Sequence, residues 1–233
     1  MWVTTTIERY SEKKREEYLV RTVITRTSLV LLLIGLFSIA TVEHAIASHS
    51  RYGTLSWAPT GSPGEVAFRL TAAFRRDAYG EINTNAIITE VVGPTALDFG
   101  DNSSTPTLQF LITAHSVTEN WIIGEALHPG TSNIGIRHTY PAAGPFTAHV
   151  GACCRIAALN NRTDGPYRLE TTVFPQGVNS SPVSTQAPIV VVPASSAATF
   201  LVPASDPNGD PIRWRLSTDA EAGGGGPSSR SQR

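Results

Sequence analysis

The chain has 233 residues, enough for one large domain or two small ones. Hydrophobic residues make up 41%, which suffices for a core, while charged residues make up only 16%, against roughly 25% in an average soluble domain. A formal net charge of -1, with no basic run beyond the N-terminal segment, excludes an electrostatic case for nucleic-acid binding.

In chain order, targeting comes first. Lys13, Lys14, Arg15, Arg21 and Arg26 precede an apolar run from Ser28 to Val42, and Ala45-Ile-Ala47 follows. A basic stretch, a short apolar stretch and an A-x-A site describe a secretory signal peptide. Residues 1–47 are therefore read as a signal peptide cleaved after Ala47. The competing reading is an uncleaved N-terminal anchor, the only route by which this sequence would meet a membrane. The apolar run is short of the ~20 residues that a spanning helix needs.

From Ser48 the sequence reads as short strands punctuated by turns, which 19 glycines and 16 prolines supply. Thr54 to Trp57 is a first strand. Glu65 to Arg75 alternates with period two: Val66, Phe68, Leu70, Ala72 and Phe74 share one face, and Arg69, Thr71 and Arg75 the other. That pattern is a half-buried strand of an antiparallel sheet. Ala86 to Val92, Leu108 to Thr113 and Val117 to Ile123 are further strands. Ile134, Ile136, His138 and Tyr140 are answered across the Pro141–Gly144 turn by Phe146, Ala148 and Val150, as in a hairpin. Tyr167, Leu169, Thr171 and Val173 close the set. No amphipathic helix is expected after residue 47, and strands at this spacing predict an all-β sandwich.

Residues 179–187 are Ser/Pro-rich and read as a linker. Ile189 to Val192, Thr199 to Val202 and Ile212 to Leu216 are expected strands of a partial second module, residues 188–219. The tail, 220–233, is low-complexity sequence rich in Gly and Ser. The brevity of the second module suggests one cut short.

Two segments carry a family likeness: Leu97-Asp-Phe-Gly-Asp101, and the stretch from Arg137 to Val150. Asp98, Phe99, Gly100, Asp101, His138, Tyr140, Gly144, Phe146 and Val150 resemble the signature of the PKD domain, an immunoglobulin-like antiparallel β-sandwich. The likeness implies a PKD-like domain over residues 48–178. A broader likeness, running from Ser48 to about Asp219, is to exported proteins in which a PKD-like domain precedes a cadherin-like or Ig-like module. Asn102 stands where PKD domains usually have glycine; Asn also tolerates the left-handed conformation, so the turn should survive. The stretch between Asp101 and Ile134 exceeds a typical PKD connection. Such domains are mostly extracellular spacers and adhesion units. The likeness therefore implies a non-enzymatic, secreted or cell-surface structural or adhesion module. Its partner would be a protein or polysaccharide of the extracellular matrix or cell surface, with the insert from Asn102 to Asn133 as the main binding surface. The alternative is a carbohydrate-binding or accessory domain of a secreted hydrolase system.

Candidate chemistry is sparse. Asp98 and Asp101 suit turn-making, since short Asp side chains bond nearby backbone amides, better than acid–base catalysis. His138 is expected to be packed and hydrogen-bonded, His149 to lie on the surface, and His115 and His128 to be unorganised. Asp206, Asn208 and Asp210 place oxygens at alternate positions around a glycine turn, and are the candidate ligands of a Ca²⁺ ion, the one cofactor the sequence suggests. They supply three of the 6–8 oxygens calcium prefers. Adjacent Cys153 and Cys154 read as one core cysteine and one on the opposite face, not as a redox or metal pair. Trp57, Trp121 and Trp214 fall in strand-like runs, where core packing is expected ahead of a sugar platform. Sequons occur at Asn102, Asn161 and Asn179, and matter where the host glycosylates exported proteins. No nucleophile elbow, zinc helix or phosphate loop is present.

Overall fold

The chain divides into two units, Met1–Ala45 and Ile46–Arg233. The structure, a computed structural model, describes residues 49–89, 96–152, 155–156, 165–187, 189–190, 192–193, 195–218 and 221, all within the second unit. The signal or anchor segment, Val91 and Val92, the cysteine pair, the Asn161 sequon and the glycine-rich tail lie outside the described residues.

Among the described residues the strand ladders are all antiparallel, and one 3₁₀ turn lies at Asp77–Tyr79. The larger sheet contains β1 (Ser50–Pro59), β2 (Glu65–Arg75), β3 (Ile87–Thr89), β4 (Gln109–Ser116), β5 (Trp121–Ala126) and β6 (Ile136–Thr139). Its order is β1-β2-β5-β4-β3, with β6 also on β2. The long strand β2 is its spine. β1 pairs along one edge of β2, while the other edge is shared: Glu65–Phe68 take β6, and Thr71–Arg75 take β5. The smaller sheet pairs β7 (Phe146–Ala152) with β8 (Tyr167–Val173), and Asp98 bridges to His149 beside it.

Alternation decides which faces meet. Val66, Phe68, Leu70, Ala72 and Phe74 of β2 are all buried. They share one apolar cluster with Phe110 and Ile112 of β4, Ile122 of β5, and Ala148, Val150 and Val173 of the smaller sheet. Phe74 packs edge-on to Phe110, centroids 5.4 Å apart, and Phe68 tilts against Phe99 at 5.6 Å. Each such fully buried side chain contributes on the order of 1.5–3 kcal/mol.

Several expectations change. The stretch 134–140 and β7 do not form a hairpin: β6 pairs with β2, and β7 with β8. The Pro141–Gly144 turn therefore crosses between sheets, because β2 already offers β6 an open edge next to β5. The strand expected at Val117–Ile123 begins at Trp121, since residues 117–120 make the turn between β4 and β5. Finally, the insert after Asp101 is not only a surface element for binding. It supplies β4 and β5, two inner strands of the larger sheet.

Beyond residue 181 the backbone forms one short ladder, β9 (Val183–Ser184) with β10 (Ala204–Ser205). Thr199–Val202 and Ile212–Leu216 are in no ladder. Pro193, Pro203, Pro207 and Pro211 interrupt the segment, and a proline cannot donate to a ladder. No helix among the described residues is long and apolar enough to cross a membrane.

Candidate functional site

The predicted signature residues converge on one polar knot at the edge of the core. Asp98 exchanges backbone hydrogen bonds with His149, which ties the turn to β7 (3.0 and 2.8 Å). Its carboxylate accepts the Gly100 amide at 2.7 Å. Asp101 Oδ1 accepts from the Ser103 amide and hydroxyl, and Asp101 Oδ2 lies 2.7 Å from His138 Nε2 on β6. The His138 ring stacks flat on Phe99, centroids 3.8 Å apart, and meets Tyr140 edge-on. Tyr140 donates its hydroxyl to the Phe99 carbonyl at 3.0 Å. The knot thus links the 98–104 turn, β6 and β7, and so joins the two sheets.

Its electrostatics are those of a structural lock. Burial works to raise the Asp101 carboxyl, but the hydrogen bonds from Ser103 and His138 prevail and hold it below its usual range. Burial, reinforced by the Asp101 and Asp98 charges, pushes the Tyr140 hydroxyl far up, so it stays protonated and able to donate. Every polar atom named is spent within the fold. Gly100, at φ 81°, shows why the turn needs glycine: a Cβ there would sit 2.6 Å from the Thr147 carbonyl oxygen. Asn102 takes φ 71°, as expected of the one departure from the signature.

The remaining candidates are dispersed. His115 Nδ1 lies 2.9 Å from Thr84 Oγ1, and His128 Nδ1 accepts the Arg137 amide at 3.3 Å. His149 is half-buried with its Nδ1 enclosed, not on the surface, because the 98–104 turn packs beside it. Trp57 is core, and its indole donates to the Thr172 carbonyl at 2.8 Å. Trp121 is half-buried, with its indole donating to Glu119. Trp214 departs from the core expectation: it is 60% exposed, since Ile212–Leu216 joins no sheet.

Asp206, Asn208 and Asp210 do sit on one turn, with Gly209 at φ 83°. Two of their oxygens, Asp206 Oδ1 and Asn208 Oδ1, accept backbone amides of the chain itself. Asp206 Oδ1 accepts the Asn208 and Asp210 amides at 2.8 and 3.2 Å. Asn208 clamps the linker, accepting the Ser180 amide at 2.8 Å and donating to the Val178 carbonyl at 3.2 Å. Among the described residues, no group of three or more His, Cys, Asp and Glu is placed to hold a metal ion.

Two clusters had no warning in the sequence. Glu125, buried on the outer face of β5, accepts from Arg69 Nε at 3.0 Å and Thr71 Oγ1 at 2.9 Å on β2. Arg76, also buried, holds the 81–83 loop through the carbonyls of Ile82 and Glu81 and the Asn83 side chain. Period-two reading places Arg69 and Thr71 together on a face, but pairing with Glu125 depends on register, which is not local information.

Comparison with known proteins accords with this picture of a structural module. A family model described as the N-terminal region of integrin beta-like proteins A–E matches residues 51–175, more than half of the chain. Integrin beta-like protein A of Dictyostelium discoideum is 33% identical over 202 residues, covering 82% of this chain and 10% of that protein. Integrin beta-like proteins C and E of the same organism are 31% and 32% identical, over 70% and 62% of this chain and 8% of each relative. The chain therefore spans about a tenth of the length of these curated relatives. No solved structure matches. The chain belongs to the family defined by the N-terminal region of the integrin beta-like proteins A–E.

Proposed function

We propose that the chain is a non-enzymatic adhesion module, exported to the cell surface or secreted, and built as a PKD-type immunoglobulin-like sandwich over residues 48–178. The observation that carries this reading is the family match over residues 51–175, which lies on the all-β region containing the Asp98–Asp101–His138–Tyr140 knot. A knot that cross-links the 98–104 turn, β6 and β7 through internal hydrogen bonds makes a stiff unit, suited to presenting a surface. Its partners are proteins or polysaccharides of the matrix or cell surface. Since the insert after Asp101 contributes β4 and β5 to the sheet, its part in the binding surface reduces to its turns at 102–107, 117–120 and 128–135, beside the exposed segment after Val178.

The test displays the full chain on non-adherent cells and counts attachment to matrix-coated and cell-coated surfaces under shear. A gain over undisplayed cells is expected. No gain on any surface, with display verified by antibody, would refute the adhesive reading.

A second reading, carbohydrate binding, is favoured by Trp214, whose exposed ring could stack on a sugar. Retention of the full chain on insoluble polysaccharide, abolished by Trp214→Ala, would select it.

A further inference from the structure

The sequons at Asn102 and Asn179 sit in unlike surroundings. Acceptance of an N-linked glycan requires a reachable asparagine and a reachable hydroxyl two residues later. At the first sequon Asn102, Ser103 and Ser104 are all exposed, at the tip of the turn that leaves the core at Phe99. Asn102 holds φ 71°, a conformation that glycine or asparagine adopts at low cost. Where the PKD signature has glycine, asparagine thus keeps the turn and adds a side-chain amide at an exposed position. At the second sequon Asn179 is exposed, but its hydroxyl partner is not. Ser181 is buried, with Oγ accepting the Trp57 amide at 2.8 Å and donating to the Trp57 carbonyl at 3.3 Å. Its own amide is held by the same carbonyl at 3.0 Å, and Pro182 restricts it to extended backbone.

We propose that Asn102 carries an N-linked glycan that can be added to the folded domain, whereas Asn179 is an acceptor only until Ser181 docks on β1. In the step, the donor is a lipid-linked oligosaccharide diphosphate. The Asn102 Nδ2–C1 bond forms, the sugar C1–O bond to the diphosphate breaks, and the amide proton leaves with the lipid diphosphate. The inference rests on the export reading, because the transfer occurs only on chains that enter the secretory pathway. A glycan at Asn102 would cover that end of the sandwich and direct any adhesive contact to the other exposed turns and the C-terminal segment.

The test translates the full chain with microsomes, scores import by protease protection, and maps glycans site by site by mass spectrometry after enzymatic release in ¹⁸O-water. Asn102 is expected to be occupied. Asn102→Gly, which keeps the left-handed turn, and Ser104→Ala, which keeps the asparagine, should each remove that one glycan and leave protease protection unchanged. In a parallel reaction, prefolded full chain is exposed to purified oligosaccharyltransferase, and only Asn102 of the two should be labelled. An imported chain bare at Asn102 overturns the assignment and spares the export reading. A chain that remains outside the microsomes overturns both. Equal labelling of Asn102 and Asn179 in the prefolded chain overturns the role of Ser181.

Discussion

The stretch from Ser50 to Val173 and the stretch after Val178 are both rich in strand-forming residues, yet they reach opposite ends. In the first, Phe68, Leu70 and Phe110 are buried to within 2%. In the second, Phe200 is 54%, Leu201 85% and Leu216 87% exposed. Propensity does not separate them. The first offers alternating runs up to eleven residues long, with several partners within reach, so one face can be covered completely. The second offers runs of four or five residues cut by prolines, and two strands alone are marginal in water. Strand-forming residues become a sheet only where enough edges exist to receive them.

The largest effect that would sharpen this contrast is a pair of truncations. Phe68→Ala should cost about 3–5 kcal/mol by removing an enclosed aromatic, whereas Leu201→Ala should stay within about 0.5 kcal/mol. Urea unfolding of the full chain, followed by tryptophan fluorescence, reads both. Similar losses at the two positions would mean that the C-terminal segment is packed in solution and would break the comparison. The next effect isolates backbone from packing. Gly100→Ala and Gly61→Ala both place a side chain at positive φ, a cost of roughly 1–2 kcal/mol. Only at Gly100 does the new Cβ also meet the Thr147 backbone, while Gly61 faces open space. The midpoint of Gly100→Ala should therefore fall clearly below that of Gly61→Ala, and equal midpoints would remove the close approach between the turn and β7.

Much of the first region was legible because its information is local. The alternation in Glu65–Arg75 names the buried face of β2, and the Asp98–Asp101 and His138–Tyr140 pattern names the polar knot. What the sequence hid is pairing. Whether β6 joins β7 or β2 depends on an open edge supplied about seventy residues away, and the Glu125 cluster depends on the register of β5. Trp214 misled for a related reason: it lies in a strand-like run, but burial needs a second layer that nothing nearby provides. Asp206, Asn208 and Asp210 share one turn, but their spacing could not show that Asp206 Oδ1 and Asn208 Oδ1 accept backbone amides.

A smaller effect tests the knot by pH. The Asp101 carboxyl is held below its unfolded value, so its contribution to stability is complete above the unfolded pKa of about 3.9 and is lost as pH falls through the lower folded value. Asp101→Asn should cost about 1–3 kcal/mol at neutral pH, since it weakens several hydrogen bonds at a nearly enclosed side chain. It should also flatten the fall in stability between neutral pH and strong acid relative to the parent chain. An identical acid profile in parent and variant would show that the carboxylate is not held as the geometry describes.

The smallest effect concerns the join between the two regions. Asn208 holds the Ser180 amide and the Val178 carbonyl, both exposed, so its removal exchanges protein partners for water. Asn208→Ala should cost no more than about 0.5–1.5 kcal/mol in the unfolding of the first region, and should show instead as faster proteolysis at the 179–187 linker. Calcium provides the decisive control. Coordination through Asn208 Oδ1 would draw it away from the Ser180 amide, so binding by that group would loosen the same join. The expected outcome is an unchanged thermal midpoint and an unchanged linker cleavage rate with millimolar Ca²⁺ or chelator. A midpoint that rises with Ca²⁺ in the parent and not in Asp210→Ala would instead show that the turn exchanges its internal bonds for metal. The C-terminal segment would then be an ion-ordered element, and the contrast between the two regions would be one of conditions, not of sequence.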